Sequence, residues 1–353
     1  MRLGLNLRYL GRLAAAPPPE ESLAYVQEAE RLGYCVVWSA EVFSSDAVSV
    51  LAWLAARTER IELGTAAMQI PARTPAMTAM TAASLDLLSG GRFRLGLGVS
   101  GPQVSEGWHG VRFERPLVRT REYIAIVRQV LAEQKVVHDG TYYPLPLPGG
   151  EGKPLRLGMH PRRKDLPVYL AAVGPANTRL AGEIADGWLS VFFQPEASSD
   201  QLTQAQAGRK AQGLTLEGFD VVAAVPVVIG DDTGACADRV RLFTAHYLGG
   251  MGSKLHNFYT RQAARTGHAD AAQEVQRLYL DGRIRAAAAA VPRRFLEQTC
   301  LLGPVSQVAD RLRAYQEAGV TTLSAMVFPR DTEDGIRTLR LLADALAKSG
   351  AGD

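Results

Sequence analysis

The sequence predicts an α/β chain folded as a closed (β/α)8 barrel. Eight apolar, partly β-branched runs alternate with amphipathic helical stretches in one unbroken series. The alternation continues to the C-terminus, where Thr321–Phe328 reads as a strand and 332–347 as a helix. The composition does not change between the two halves. Eight βα units in series close into a parallel barrel more readily than they spread into a doubly wound sheet. A length of 353 residues suits one such barrel, so we expect a single domain over 1–353 with a helical insertion at 249–290, before strand eight.

The elements follow in order. Leu3–Leu7 is the first strand, and a loop with Pro17 and Pro18 leads to a helix over 20–32, closed by Gly33. Residues 34–39 form strand two, and Ser44-Ser45-Asp46 starts a helix to Arg57. Strand three spans 61–67, followed by a Met- and Ala-rich helix at 74–88. Strand four spans 93–98, after which a Gly-rich loop without a helix runs to Phe113. A helix over 116–133 precedes a small hairpin at 136–147, turned at Asp139-Gly140. Residues 144–166 read as a surface excursion rich in Pro, Gly and basic residues. Then come strand five (167–173), a helix (176–184), strand six (188–193), a helix (199–212), strand seven (219–229) and a helix (231–247). Past the insertion, Pro304–Ala318 is strongly amphipathic through Val308, Leu312 and Tyr315.

Composition excludes several function classes. The surplus of 39 basic over 36 acidic residues is +3, too small and dispersed for a nucleic-acid face. No run of apolar residues is long enough to span a membrane, and the N-terminus reads as a strand and not a signal peptide. Cys35, Cys236 and Cys300 are odd in number and widely spaced, as in a reduced, cytoplasmic protein. The six histidines (109, 138, 160, 246, 256 and 268) show no i, i+4 pairing or acidic ligand pattern, so no metal site is expected.

In a barrel, functional side chains sit on the loops after the strands. Those points are Asn6, the Ser39-Ala40-Glu41 turn, Ala66, Ala67 and Gln69, then Gly98, Ser100 and Gln103, then Ala171, Ala172, Val173 and Gly174, and finally Ser190 to Gln194. Most are small, which lets a flat ligand approach the backbone. Glu41 is the ionisable group among them; it reads either as a proton carrier or as a helix-entry carboxylate. Trp108 and His109, in the loop after strand four, read as substrate contacts or as a cap on the barrel. Gly174-Pro175 opens a helix at a strand end and reads either as an ordinary βα loop with glycine for tightness or as a phosphate anchor, where unpaired N–H groups favour an anion. Gly96–Gly101 matches G-x-G-x-x-G, but on a fourth strand with no periodic helix behind it. We read these glycines as room for a ligand, which argues against a nicotinamide dinucleotide enzyme. Pro102 stands where a nucleophile elbow needs glycine.

The segments LGLNL, VVWSAEVFSSDA, SGGRFRLGLGVSGPQV, AAVGPANTRLAGEIADGW, YLGGMGSKLHNFYTRQAARTGH and LLGPVSQVADRLRAYQEAGVT together resemble the luciferase-like monooxygenase superfamily, in its coenzyme F420-dependent oxidoreductase branch. The resemblance implies a cis peptide at Ala66-Ala67 against the cofactor ring. It implies that the loop at Ala171–Gly174, with Asn177, binds the cofactor phosphate or side chain, and that Gly98, Ser100 and Gln103 are the cofactor-binding residues of the strand-four loop. Sugar-phosphate dehydrogenases of the family carry Asp-His after strand two. Ala40-Glu41 stands there instead, so that activity does not transfer. The implied activity is hydride transfer between coenzyme F420 and a small organic substrate, as a dehydrogenase or a C=C or C=N reductase, with Glu41 or His109 moving the proton and Trp108 on the substrate. The alternatives are an FMN-dependent two-component monooxygenase and, in another class, a non-catalytic flavin-binding barrel. A homodimer through the helices at 46–57 and 74–88 is expected, with the 144–166 and 249–290 segments lining or covering the mouth.

Overall fold

The computed structural model describes residues 1–7, 19–252 and 257–352. The loop with Pro17 and Pro18, and His256, lie outside the described residues. The barrel strands are β1 (Arg2–Asn6), β2 (Val36–Ser39), β3 (Glu62–Thr65), β4 (Phe93–Gly98), β5 (Val168–Ala171), β6 (Gly187–Val191), β7 (Asp220–Ile229) and β8 (Thr322–Val327). Each pairs in parallel with the next, and β8 pairs with both β7 and β1 (Leu5 opposite Ala325), which closes the barrel. Two short strands, Met68–Gln69 and Leu301–Gly303, add to β4 and β7.

Around the barrel run α1 (Pro19–Arg31), α2 (Ala47–Ala55), α3 (Pro75–Leu88), α4 (Pro102–Gly107), α5 (Pro116–Leu131), α6 (Pro175–Ile184), α7 (Ser198–Ala211) and α8 (Thr233–Ala245). Then come α9 (Phe258–Ala263), α10 (Ala269–Leu280), α11 (Ile284–Ala290), α12 (Arg293–Thr299), α13 (Val305–Glu317) and α14 (Thr332–Ser349). Local chemistry sets the helix starts. Asp46 accepts from Ser49 N, Thr74 from Met77 N, Asp232 from Gly234 N and Asp331 from Asp334 N. Outward strand residues such as Leu63, Leu95, Leu97, Leu170 and Val225 are buried against the helix ring.

Alternation along each strand turns the other residues into the barrel. There Val36, Trp38, Tyr169, Leu189 and Val222 form one packed cluster, with Trp38 and Tyr169 meeting edge to face at 5.2 Å. The indole needs missing side chains to lie across the interior: a Cβ on Gly64 would sit 2.2 Å from its ring. Gly96 answers a different crowding, since a Cβ there would lie 1.9 Å from Thr65 O.

At the N-terminal end the barrel is closed by charge. Asp220 Oδ2 accepts from Arg94 Nη1 at 2.9 Å and from the Tyr169 hydroxyl at 3.0 Å. Asp220 Oδ1 accepts from Thr322 Oγ1 at 2.8 Å and Thr321 Oγ1 at 2.5 Å. Arg94 also pairs with Glu62, and Arg2 approaches Asp220. Burial drives the Tyr169 phenol well above its ordinary range, with the neighbouring Asp220 carboxylate adding to the rise.

Three sequence expectations are corrected. The loop after β4 opens into α4, with Pro102 at its first turn, where a missing N–H costs nothing. The 136–147 hairpin reduces to a single bridge, His138 with Leu145, because Pro144, Pro146 and Pro148 remove the donors a ladder needs. The 144–166 excursion does not cover the mouth. Its start is tied to α5, where Glu122 accepts from the N–H groups of Thr141, Tyr142 and Tyr143. Its end is tied to the opposite face of the barrel, where Arg163 pairs with the fully buried Asp86 and donates to Phe93 O.

The helices past α8 build a second core from Phe192, Val240, Leu248, Val275, Phe295 and Leu296. They are fastened to the end of β6 through backbone: Gln262 Nε2 donates to Val191 O at 3.0 Å and to Phe192 O at 3.1 Å. Gln194 Nε2 donates to Thr266 Oγ1 at 2.9 Å beside it. No helix among the described residues is long and apolar enough to cross a membrane.

Candidate active site

The C-terminal mouth of the barrel has a floor of small side chains. Ala66, Ala67 and Ala171 pack on the Trp38–Tyr169 cluster from above. Gly98 lies between two of them: a Cβ built there would stand 3.4 Å from Ala67 Cβ and 3.7 Å from Ala171 Cβ. The missing methyl leaves a shallow, flat cradle. The Ala66-Ala67 peptide is cis. It is held by β2, since Ala66 N donates to Ser39 O at 2.7 Å and Glu41 N donates to Ala67 O at 3.3 Å. At the end of β1, Asn6 Nδ2 donates to Ser324 Oγ on the neighbouring strand β8 at 3.4 Å. Trp38 Nε1 is buried with no protein acceptor.

The strand-three and strand-four loops are joined by side chains. Ser100, in the left-handed region at φ 61°, donates through Oγ to Gln69 Oε1 at 2.8 Å. Gln69 is buried, and its Nε2 donates to Val42 O at 2.6 Å. Gln103 lies on the exposed face of α4. Trp108 ends α4 and is 66% exposed. The His109 N–H donates to Val104 O, which fixes the residue at the end of α4, and His109 Nε2 is buried with no protein partner.

After β5 the residues diverge. Ala171 faces the cradle, whereas Ala172 is buried in the outer core and its carbonyl accepts from Trp188 Nε1 at 2.8 Å. Val173 and Gly174 lead into α6, whose N-terminus has no side-chain cap. Asn177 Nδ2 donates to Ala171 O at 3.3 Å, and its Oδ1 is buried without a protein partner. Arg265, past α9, reaches Val173 O at 3.5 Å and brings a cation to the same loop.

Glu41 is placed differently from the other predicted residues. Its carboxylate forms a two-point pair with Arg73, Nη1 to Oε2 at 2.7 Å and Nη2 to Oε1 at 2.9 Å. It also accepts from Ala47 N at 3.1 Å and Gln69 N at 3.3 Å. A carboxylate has about four acceptor directions, and all four are used. Burial pulls the Arg73 guanidinium down, but the hydrogen bond and charge of Glu41 outweigh it and hold Arg73 above its ordinary value.

The structure thus gathers Asn6, Ala66, Ala67, Gly98 and Ala171 at one floor and links Gln69 to Ser100. It turns Ala172 away. Sequence reasoning missed Trp38 and Arg73. The glycines at inward positions of β1 and β3, Gly4 and Gly64, were the signal for Trp38; nothing local marked Arg73. The fit to a flavin-like group is good: a flat cradle a single methyl would fill, an uncapped helix start for a phosphate, and unpartnered buried polar atoms beside both.

The family model described as luciferase-like monooxygenase matches residues 1–322. A Mycobacterium tuberculosis protein provisionally named a coenzyme F420-dependent oxidoreductase is 42% identical over 349 residues, covering 97% of this chain and 99% of that one. The 5,10-methylenetetrahydromethanopterin reductase of Methanolobus tindarius is 34% identical over 227 residues, 64% of this chain and 67% of the relative. Among solved structures, the coenzyme F420-dependent tetrahydromethanopterin reductase of Methanopyrus kandleri superposes with a TM-score of 0.80 over 98% of both chains. At 22% identity that likeness speaks to the fold.

Proposed function

The chain belongs to the luciferase-like monooxygenase family, and from that premise we propose that it is a coenzyme F420-dependent oxidoreductase acting on a small organic substrate. The observation that carries this reading is the cradle formed by Gly98 between Ala67 and Ala171 over the Trp38–Tyr169 plug. The name of the 42% identical relative supports the choice of cofactor. When bound, the deazaflavin would supply two-electron hydride chemistry at its central ring. The rest is the work of this chain's own groups. Ala66, Ala67, Gly98 and Ala171 seat the ring, with Asn6, Ser100 and Gln103 at its edges. Val173, Gly174, Asn177 and the N-terminus of α6 hold the anionic tail. Trp108 lies against the substrate, and His109 Nε2 moves the proton.

We read residues 1–353 as one cytoplasmic barrel domain, with 249–290 as an insertion that covers the mouth from the β6 side. Titration of the purified protein with F420 and with FMN tests the cofactor. Saturable F420 binding with weaker FMN binding is expected; preference for FMN would make the chain a monooxygenase component, and binding of neither would sink both readings. His109→Ala is expected to lower turnover by roughly 10² to 10⁴-fold while leaving F420 affinity unchanged. Binding with no turnover by wild type across a panel of alcohols, enones and imines would mark a non-catalytic barrel.

Two copies are proposed to pair through α2 and α3. On α3, Met77, Met80, Leu87 and Leu88 are exposed at 52%, 49%, 51% and 69%, on one outer face with Ser84 between the two pairs. Light scattering is expected to give a dimer for wild type and a monomer for Met80→Asp; a monomeric wild type would refute the interface.

A further inference from the structure

We propose that Glu41 and Arg73 are a positioning pair that holds the ring floor of the mouth in register with the strand-four loop, and that Glu41 does not carry the proton. The proposal rests on reading the mouth as a deazaflavin site. Glu41 touches three parts of the rim. Its backbone N–H holds Ala67 O, and its Oε2 receives Gln69 N. Its Oε1 receives Ala47 N, the first residue of α2. Gln69 carries the constraint onward. With its backbone fixed by Glu41, its side chain uses both ends, Nε2 on Val42 O and Oε1 under Ser100 Oγ. The chain of contacts therefore runs from the β2 loop through the β3 loop to Ser100, beside Gly98.

Arg73 locks this chain from outside. Its two nitrogens fix the plane of the Glu41 carboxylate. Its own carbonyl accepts from the Tyr123 hydroxyl at 3.1 Å, which ties the pair to α5. With both Glu41 oxygens saturated by N–H donors, a proton on the carboxyl would break an existing bond before it could serve a substrate. His109, by contrast, keeps an unpartnered Nε2. Misplacement of a cofactor floor by even a fraction of an ångström is costly, because the reacting carbon must meet its partner at near contact.

The test uses three full-length proteins: wild type, Glu41→Gln, and the neutral pair Glu41→Gln with Arg73→Met. Glu41→Gln alone strands Arg73 half-buried, so its melting temperature falls; the double variant removes the stranded charge and regains melting temperature. Both variants are nevertheless expected to bind F420 about tenfold more weakly. Both are also expected to lose hydrogen-exchange protection at the Gln69 amide and to shift the absorption band of bound cofactor. A double variant with wild-type F420 affinity and wild-type exchange at Gln69 would reduce the pair to a stability element and overturn the proposal. So would Glu41→Gln with unchanged affinity and a kcat pH profile that has lost one limb, since that is the signature of a proton carrier. If wild type binds no F420 while exchange at Gln69 still responds to Glu41→Gln, the coupling stands and the cofactor reading falls.

Discussion

Gly98→Val is expected to remove cofactor binding while leaving the barrel folded. The hydrogen that Gly98 presents to the mouth is the low point of the floor, with Ala67 and Ala171 on either side. A single methyl fits there at ordinary contact distances, 3.4 and 3.7 Å from its neighbours, so Gly98→Ala serves as the graded control. The two γ-methyls of valine rise above the floor into the space a planar ring needs. Valine suits a strand, so the cost falls on the ligand and not on the fold. Affinity should drop by at least ~10²-fold for valine and less for alanine. Fluorescence titration of F420 beside a thermal melt checks this; valine binding within a few-fold of wild type would mean that the ring lies elsewhere.

Asp220→Ala is expected to have the opposite signature. Asp220 is the hub of the charged plug at the N-terminal end, taking bonds from Arg94, Tyr169, Thr321 and Thr322. Its loss leaves Arg94 buried with half its counter-charge and takes the carboxylate acceptor from Thr322, while Thr321 keeps only its longer bond to Val221 O. Breaking a buried pair from one side costs about 3–5 kcal/mol. For a chain of this size that corresponds to a fall in melting temperature of roughly 4–7 °C. The plug lies below the Trp38–Tyr169 layer, away from the mouth, so F420 affinity of the folded fraction should be unchanged. A stable Asp220→Ala protein would show that the plug is relaxed by water or by Glu62 alone.

The strands and most helices were legible because their signals are local: a β-branched run, a capping Asp or Thr, a glycine at a helix end. The barrel followed from counting them. The cis peptide at Ala66-Ala67 was legible through resemblance and not through composition, since two alanines carry no chemical mark. Glu41 was legible as a residue of interest, but its partner was not: Arg73 lies 32 residues away, and pairing across loops has no period to read. The same holds for Arg94 with Asp220, 126 residues apart. Trp38 escaped because attention to strand ends passes over the layer beneath them. α4 escaped because Gly98, Gly101 and Pro102 read as a loop, although a proline is welcome in the first turn of a helix.

The grip of Gln262 on the end of β6 takes hold of main-chain carbonyls at Val191 and Phe192, and no side chain there is asked for a polar group. That anchor itself reads only backbone, although the Phe192 ring packs into the second core beside it. A substitution on the inner face of α9–α11 is therefore free to reshape the space beside β6 without loosening the Gln262 anchor or disturbing the charged plug at the far end of the barrel.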